Sequence, residues 1–173
     1  MPDKTQPLTR SHLESLYIEL EKPLFNVAFR YVWDKEEAQD LVQETFVKLW
    51  KIRDRVKIDT VKPLIFKICI NMASSFLRRK RILTFLSLDG AIKEPAEKGS
   101  NSLEKKEKLL LLKKVINGLP SKLKETVLLT EFSEMSYEEV GKTLGIPAGT
   151  VGSRRNKAVS IMKEKFYRLY GQV

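Results

Sequence analysis

Two clusters of side chains in this 173-residue chain have the types and spacing to grip a polyanion. The first, near the C-terminus, is Thr150, Ser153, Arg154, Asn156 and Lys157. Ser, Asn and Lys suit base edges, while Thr150 and Arg154 can reach phosphates. The second is Lys67, Asn71, Ser75, Arg78 and Arg79, spaced so that they share one side of a helix. Asn71 offers both a donor and an acceptor, Ser75 lies one turn on, and the three cations suit phosphates. A third group, Asp40, Gln43 and Glu44, falls on one side of another helical pattern and can pair with Arg or Lys on a partner. Taken alone, that acidic face reads as solvated surface.

Catalytic chemistry has no comparable footing. There is no Gly-rich phosphate loop and no metal-ligand spacing, so no enzyme activity, metal or cofactor is expected. The one cysteine, Cys69, lies among apolar residues and reads as a buried thiol. The one histidine, His12, falls in a segment read as mobile surface. Charge supports binding instead: 32 Lys+Arg against 22 Asp+Glu give +10, with a pI near 9.6, and the excess is segregated. Six of the seven charged residues from position 150 onward are basic, and Arg78 to Arg81 form a second basic run. The N-terminus carries no hydrophobic signal core, and the longest unbroken apolar run, residues 109–112, is flanked by lysines. No membrane insertion is expected, and the chain is placed in the cytoplasm.

The elements that must position these groups all read as helices. One helix is expected over residues 11–33, with Pro23 a point of interruption. Asp34 and Glu37 then form a capping pattern ahead of Ala38, Leu41, Val42, Phe46, Leu49 and Trp50, an amphipathic rhythm. Residues 51–62 break it, and Pro63 suits the first turn of a helix running to 81. Its buried side is read as Ile65, Ile68, Cys69, Met72, Phe76 and Leu77; Phe66 and Ile70 are left open between supporting a base and packing in the core. Residues 84–102 read as a linker, of which 85–88 are candidates to dock locally.

Beyond it come helices over 103–117, 121–132, 136–144 and 149–170. The third begins on a capping box, Ser136 to Glu139, and ends at Gly145. A short capped helix, a Gly turn and a basic second helix make a helix-turn-helix, locked by Val140, Leu144, Ile146 and Val151. Val151, Ala158 and Met162 face the core, which turns the Ser153–Asn156–Lys157 side outward. The expectation is an all-α chain of two small helical domains: 1–83, a flexible linker 84–102, and 103–173.

The stretch from Leu119-Pro120 through Met135-Ser136-Tyr137-Glu138-Glu139-Val140-Gly141 to Leu144-Gly145-Ile146-Pro147-Ala148-Gly149-Thr150-Val151-Gly152-Ser153-Arg154 resembles region four of the extracytoplasmic-function (ECF) sigma factors. Asp40-Leu41-Val42-Gln43-Glu44-Thr45-Phe46 with Leu49-Trp50 resembles their region two. Leu64 to Asn71 with Leu77-Arg78-Arg79 resembles the segment that reads the −10 element.

The resemblance implies a factor that binds core RNA polymerase, through the β′ coiled coil and the β flap, and directs promoter-specific initiation. It assigns Asp40, Gln43 and Glu44 to polymerase. It gives Lys67, Asn71, Ser75, Arg78 and Arg79 to the −10 element, with the basic loop 53–62 completing the pocket. It gives Thr150, Ser153, Arg154, Asn156 and Lys157 to the −35 element. It further implies promoter DNA as ligand, an anti-sigma protein as regulator, and a monomer when free. Two positions depart from the family pattern: Gly152 replaces a commonly basic residue, and Arg155 a commonly apolar one. The competing reading is a stand-alone helix-turn-helix regulator acting as a dimer, which leaves the first half of the chain without a role.

Overall fold

The computed structural model describes residues 7–86 and 103–171, and among them every regular element is helical. The order is α1 (Arg10–Val32), α2 (Lys35–Ile52), two short 3-10 turns (Arg53–Arg55 and Ile58–Thr60), α3 (Val61–Leu86), α4 (Leu103–Asn117), α5 (Ser121–Phe132), α6 (Tyr137–Leu144) and α7 (Ala148–Tyr170).

His12 does not sit in a loose tail. Thr9 and His12 close a capping box at the start of α1: the Thr9 hydroxyl accepts from the His12 amide at 3.2 Å, and the Thr9 amide donates to His12 Nδ1 at 3.3 Å. Nor does Pro23 interrupt α1, which runs through it with the ring buried. The carbonyl that loses its donor belongs to Glu19, an exposed residue that water can reach. The α1 stop is unusual. Trp33 caps it at φ 58, a left-handed conformation costly for a bulky side chain, and is only 6 % exposed.

Helices α1, α2 and α3 pack around Leu20, Leu24, Val27, Leu49, Ile65 and Phe66, all at most 2 % exposed. Each such side chain contributes about 1.5–3 kcal/mol by leaving water. Phe66 and Ile70 are thus core residues, and neither reaches a base. Cys69 is buried beside Thr45, and burial pushes its thiol up to about 12, so it stays protonated and inert.

Helix α3 outruns its expected end at 81 and continues to Leu86. Its last turns project beyond the bundle with Leu83, Phe85 and Leu86 exposed, so Phe85 and Leu86 do not dock; positions 87 and 88 lie outside the described residues. By length and mean composition the stretch Ile58–Leu86 could cross a membrane, although no unbroken apolar run in it suggested so. Its apolar side is already packed against α1 and α2, which marks it as the central helix of the bundle.

In the second half, α5 and α6 both pack on α7, and α4 reaches it as well. The two helical units also lie against each other. Helix α5 meets the end of α1 and α6 meets α3, so Ile116, Leu128, Leu129, Met135, Val140 and Val151 join the same apolar cluster as the first bundle.

Candidate nucleic-acid and partner-binding surfaces

The middle of α3 builds the first surface. With Ile65, Cys69 and Met72 turned inward, the helical period carries Lys67, Asn71, Ser75, Arg78 and Arg79 to the outer side. Asn71, Arg78 and Arg79 are exposed, while Lys67 and Ser75 are half-buried. Between α3 and α2 runs a groove of about 460 Å³ whose polar lining is Asn71, Ser75 and Arg79 from α3 with Glu44 and Lys48 from α2. Ile68, Met72 and Phe76 give it an apolar floor. A polar rim over an apolar floor can accept the edge and the face of an unstacked base. Lys67 and Arg78 stand outside this groove.

The acidic face of α2 is presented as its period requires. Leu41, Val42, Thr45, Phe46 and Leu49 go inward, leaving Asp40, Gln43 and Glu44 exposed. Glu44 is shared between surfaces: it lines the groove and pairs with Lys48 at 3.6 Å. Trp50, expected in the buried stripe, is 37 % exposed and carries Arg53 over its ring at 4.1 Å. The basic loop therefore begins on an aromatic platform at the end of α2.

The helix-turn-helix is built tightly. Ser136 and Glu139 complete the expected capping box, with the Glu139 amide donating to the Ser136 hydroxyl at 3.2 Å and the Ser136 amide to Glu139 Oε2 at 2.8 Å. Gly145 ends α6 at φ 67. Gly141 is needed for a different reason: a Cβ there would stand 2.6 Å from the carbonyl oxygen of Ile146. Val140 and Val151 are fully buried between the two helices. On the outer side of α7, Ser153, Asn156 and Lys157 are exposed and Thr150 and Arg154 half-exposed, which places all five on an accessible basic surface. The Ser153 hydroxyl donates back to the Thr150 carbonyl at 3.1 Å.

Arg155 has a structural account, while nothing in the structure requires the glycine at 152. Arg155 neither enters the core nor reaches out along α7; it pairs with Glu131 of α5 at 2.5 Å, and that hydrogen bond raises its guanidinium above the ordinary range. At Gly152 a Cβ would meet the ring of Tyr137 at 3.4 Å, so the tyrosine leans over the glycine. Tyr137, 39 % exposed at the start of α6, is a surface residue that the sequence reading passed over, as is Lys48 in the groove. The signal for Tyr137 was its place directly after the Ser136 cap; for Lys48 it was the i, i+4 spacing from Glu44.

Residues 16–82 match the family described as Sigma-70 region 2, and residues 109–162 match Sigma-70, region 4; together they take in more than half of the chain. The chain is 26 % identical over 161 residues to RNA polymerase sigma factor SigV of Bacillus subtilis, covering 92 % of this chain and 94 % of that one. It is 27 % identical over 150 residues to ECF RNA polymerase sigma factor SigE of Mycolicibacterium smegmatis, covering 85 % of this chain and 55 % of that longer protein. Among solved structures, the sigma factor RpoE in complex with the anti-sigma factor NepR from Bartonella quintana superposes with a TM-score of 0.67, at 27 % identity, over 91 % of this chain and 97 % of that one. The fold is also that of CnrH in complex with the cytosolic domain of CnrY, with a TM-score of 0.69 at 18 % identity over 90 % and 88 % of the two chains.

Proposed function

The chain belongs to the sigma-70 family as an extracytoplasmic-function sigma factor, and from that premise we propose which of its surfaces bring RNA polymerase to promoters. It binds core polymerase and promoter DNA and directs promoter-specific initiation. The chemistry of RNA synthesis belongs to the polymerase; this chain contributes binding energy and selection, and acts in the cytoplasm where the transcribed DNA is.

In our reading residues 1–83 are region two, 84–102 the linker and 103–173 region four. Asp40, Gln43 and Glu44 dock on the β′ coiled coil, and region four engages the β flap. Thr150, Ser153, Arg154, Asn156 and Lys157 enter the −35 major groove. Lys67, Arg78 and Arg79 hold the backbone around the −10 element, while Asn71 and Ser75 read a base drawn into the groove between α2 and α3. Capturing an extruded base offsets the stacking and pairing lost on melting. An anti-sigma protein is the proposed regulator, by likeness to the RpoE complex.

The observation that carries this assignment is the groove itself. It gathers Asn71, Ser75 and Arg79 with an apolar floor, in the same chain as a capped helix-turn-helix whose basic face is open. The test is transcription from a genomic promoter library with purified core polymerase, with and without this chain. New starts that share two spaced elements support the reading. Binding of a palindromic site by a dimer, with no effect on core polymerase, would replace it with the stand-alone regulator.

A further inference from the structure

One side chain lining the groove between α2 and α3 has the wrong sign for a nucleic-acid site. The charged residues there are Lys48 and Arg79, which suit phosphates, and Glu44, which repels them. Glu44 is more than half exposed and pairs with Lys48 at 3.6 Å. A carboxylate on such a wall weakens backbone binding unless something other than phosphate stands against it. A base edge meets that condition, because a carboxylate accepts hydrogen bonds from the amine of a base.

The packing of the two helices brings Glu44 level with Asn71. Joined by a short connection, α2 and α3 run antiparallel. Thr45 lies beside Cys69, and Glu37, near the start of α2, feels the charge of Lys80, near the end of α3. From the level of Thr45 and Cys69, one step back along α2 reaches Glu44 and two steps on along α3 reach Asn71. At about 1.5 Å per residue the two stand within about 2 Å of the same height, on opposite walls. Ile68 and Met72 lie beneath them. Asn71 is a donor and an acceptor, whereas the Glu44 carboxylate only accepts. An exocyclic amine has two N–H bonds, so one can go to Asn71 Oδ1 and the other to Glu44. Asn71 Nδ2 can then donate to the ring nitrogen beside the amine. Adenine, cytosine and guanine carry such an amine. Thymine carries none: its single N–H lies between two keto oxygens, which would crowd the carboxylate, acceptor against acceptor.

We propose that Glu44 is a specificity-determining residue of this groove, which admits an unstacked base with an exocyclic amine and rejects thymine. Lys48 holds the carboxylate on the wall and offsets its repulsion of the backbone on either side. A carboxylate accepts several bonds at once, so the pair with Lys48 leaves room for the amine. Asp40 and Gln43, which do not line the groove, carry the rest of the polymerase face. The inference rests on the assignment of Asn71 and Ser75 to the −10 element.

The test uses the chain assembled with core polymerase. Its probe is a promoter fragment with a preformed bubble over the −10 element, each unpaired position carrying the four bases in turn. At one position thymine should bind roughly tenfold more weakly than the best amino-bearing base, the size of one good base contact. An analogue of that base with hydrogen in place of the amine should lose as much. Glu44→Gln keeps the shape and adds an N–H donor, so it should close most of the gap by admitting thymine. Glu36→Gln removes the same charge from an exposed place on α2 outside the groove, and should leave the ratio between bases where it was. A ratio that Glu44→Gln does not move, or that Glu36→Gln moves equally, overturns the role of Glu44. If Asn71→Ala abolishes a preference that Glu44→Gln leaves intact, the −10 assignment stands and this inference alone falls. If no unpaired position shows a preference in the unaltered chain, the assignment of the groove fails and takes the inference with it.

Discussion

Asn71 and Arg78 stand seven residues apart on α3 and should fail in different ways when shortened. Asn71 lines the groove and can present a donor and an acceptor to one base, so Asn71→Ala should relax preference at a single melted position while other positions keep theirs. Arg78 lies outside the groove and offers only charge. Arg78→Ala should weaken all promoters together and flatten the dependence of log affinity on log salt by about 0.9 on duplex DNA. Promoter-library transcription and salt titrations separate the two; uniform weakening by Asn71→Ala would deny it a reading role. These residues were legible because a polar side chain at helical spacing needs no tertiary context to be noticed. Phe66, Ile70 and Arg155 were harder: their neighbours come from other helices, and a single period cannot say whether α1 or α5 will cover a face.

Helix boundaries followed local signals wherever the signal was a side chain bonded to the backbone. The Asp34 and Ser136 caps and the Gly145 stop stand where their residue types require. They were missed where the stop depended on packing. Helix α3 has no Gly or Pro between Leu77 and Leu86 and continues past its basic run, and α1 absorbs Pro23 because its apolar face is held on both sides of it. The tightest element is the turn between α6 and α7. The Ile146 amide donates to the Gly141 carbonyl at 2.9 Å, and the Ile146 carbonyl approaches so closely that no side chain fits at 141. Gly141→Ala should therefore force the turn apart despite the better helix propensity of alanine, costing about 1–3 kcal/mol as overpacking does. Urea unfolding of the chain should show it, together with a loss of −35 binding larger than that at −10. A neutral or stabilising Gly141→Ala would mean the two helices can shift at no cost, and that the recognition helix is not held as described.

At the scale of the whole molecule, the period of each helix predicted two units, and nothing in the sequence predicted their joint, because the Lys124 ammonium of α5 donates to the Tyr31 carbonyl at 3.1 Å and Trp33 Nε1 to Asn117 Oδ1 at 3.2 Å, each across more than eighty residues of chain. That joint makes the packing of the two units on each other, hereafter closure, depend on pH with a definite sign. Burial lowers the Lys124 ammonium to about 8, with Arg81 of α3 pushing the same way and Glu125 opposing. Tyr31, facing it from α1, is raised to about 12 by burial and the nearby Glu125, so it stays protonated throughout. In the open form Lys124 is solvated and holds its proton to the ordinary lysine range near 10.4. The open state therefore binds more protons between about 8 and 10, and closure strengthens as pH rises through that window, by at most about 1.4 kcal/mol for each pH unit crossed. Below about 8 both states are protonated and the balance is flat. Glu139→Gln, which removes the ion pair of Glu139 on α6 with Lys62 on α3 at 3.6 Å, should leave both the packed and the parted states populated enough to measure. Its radius of gyration should fall between pH 8 and 10, and the added change Lys124→Met should abolish that fall by removing the titrating group. Expansion over the same range, or a fall that persists without Lys124, would place the proton elsewhere and detach this lysine from the closing of the two units.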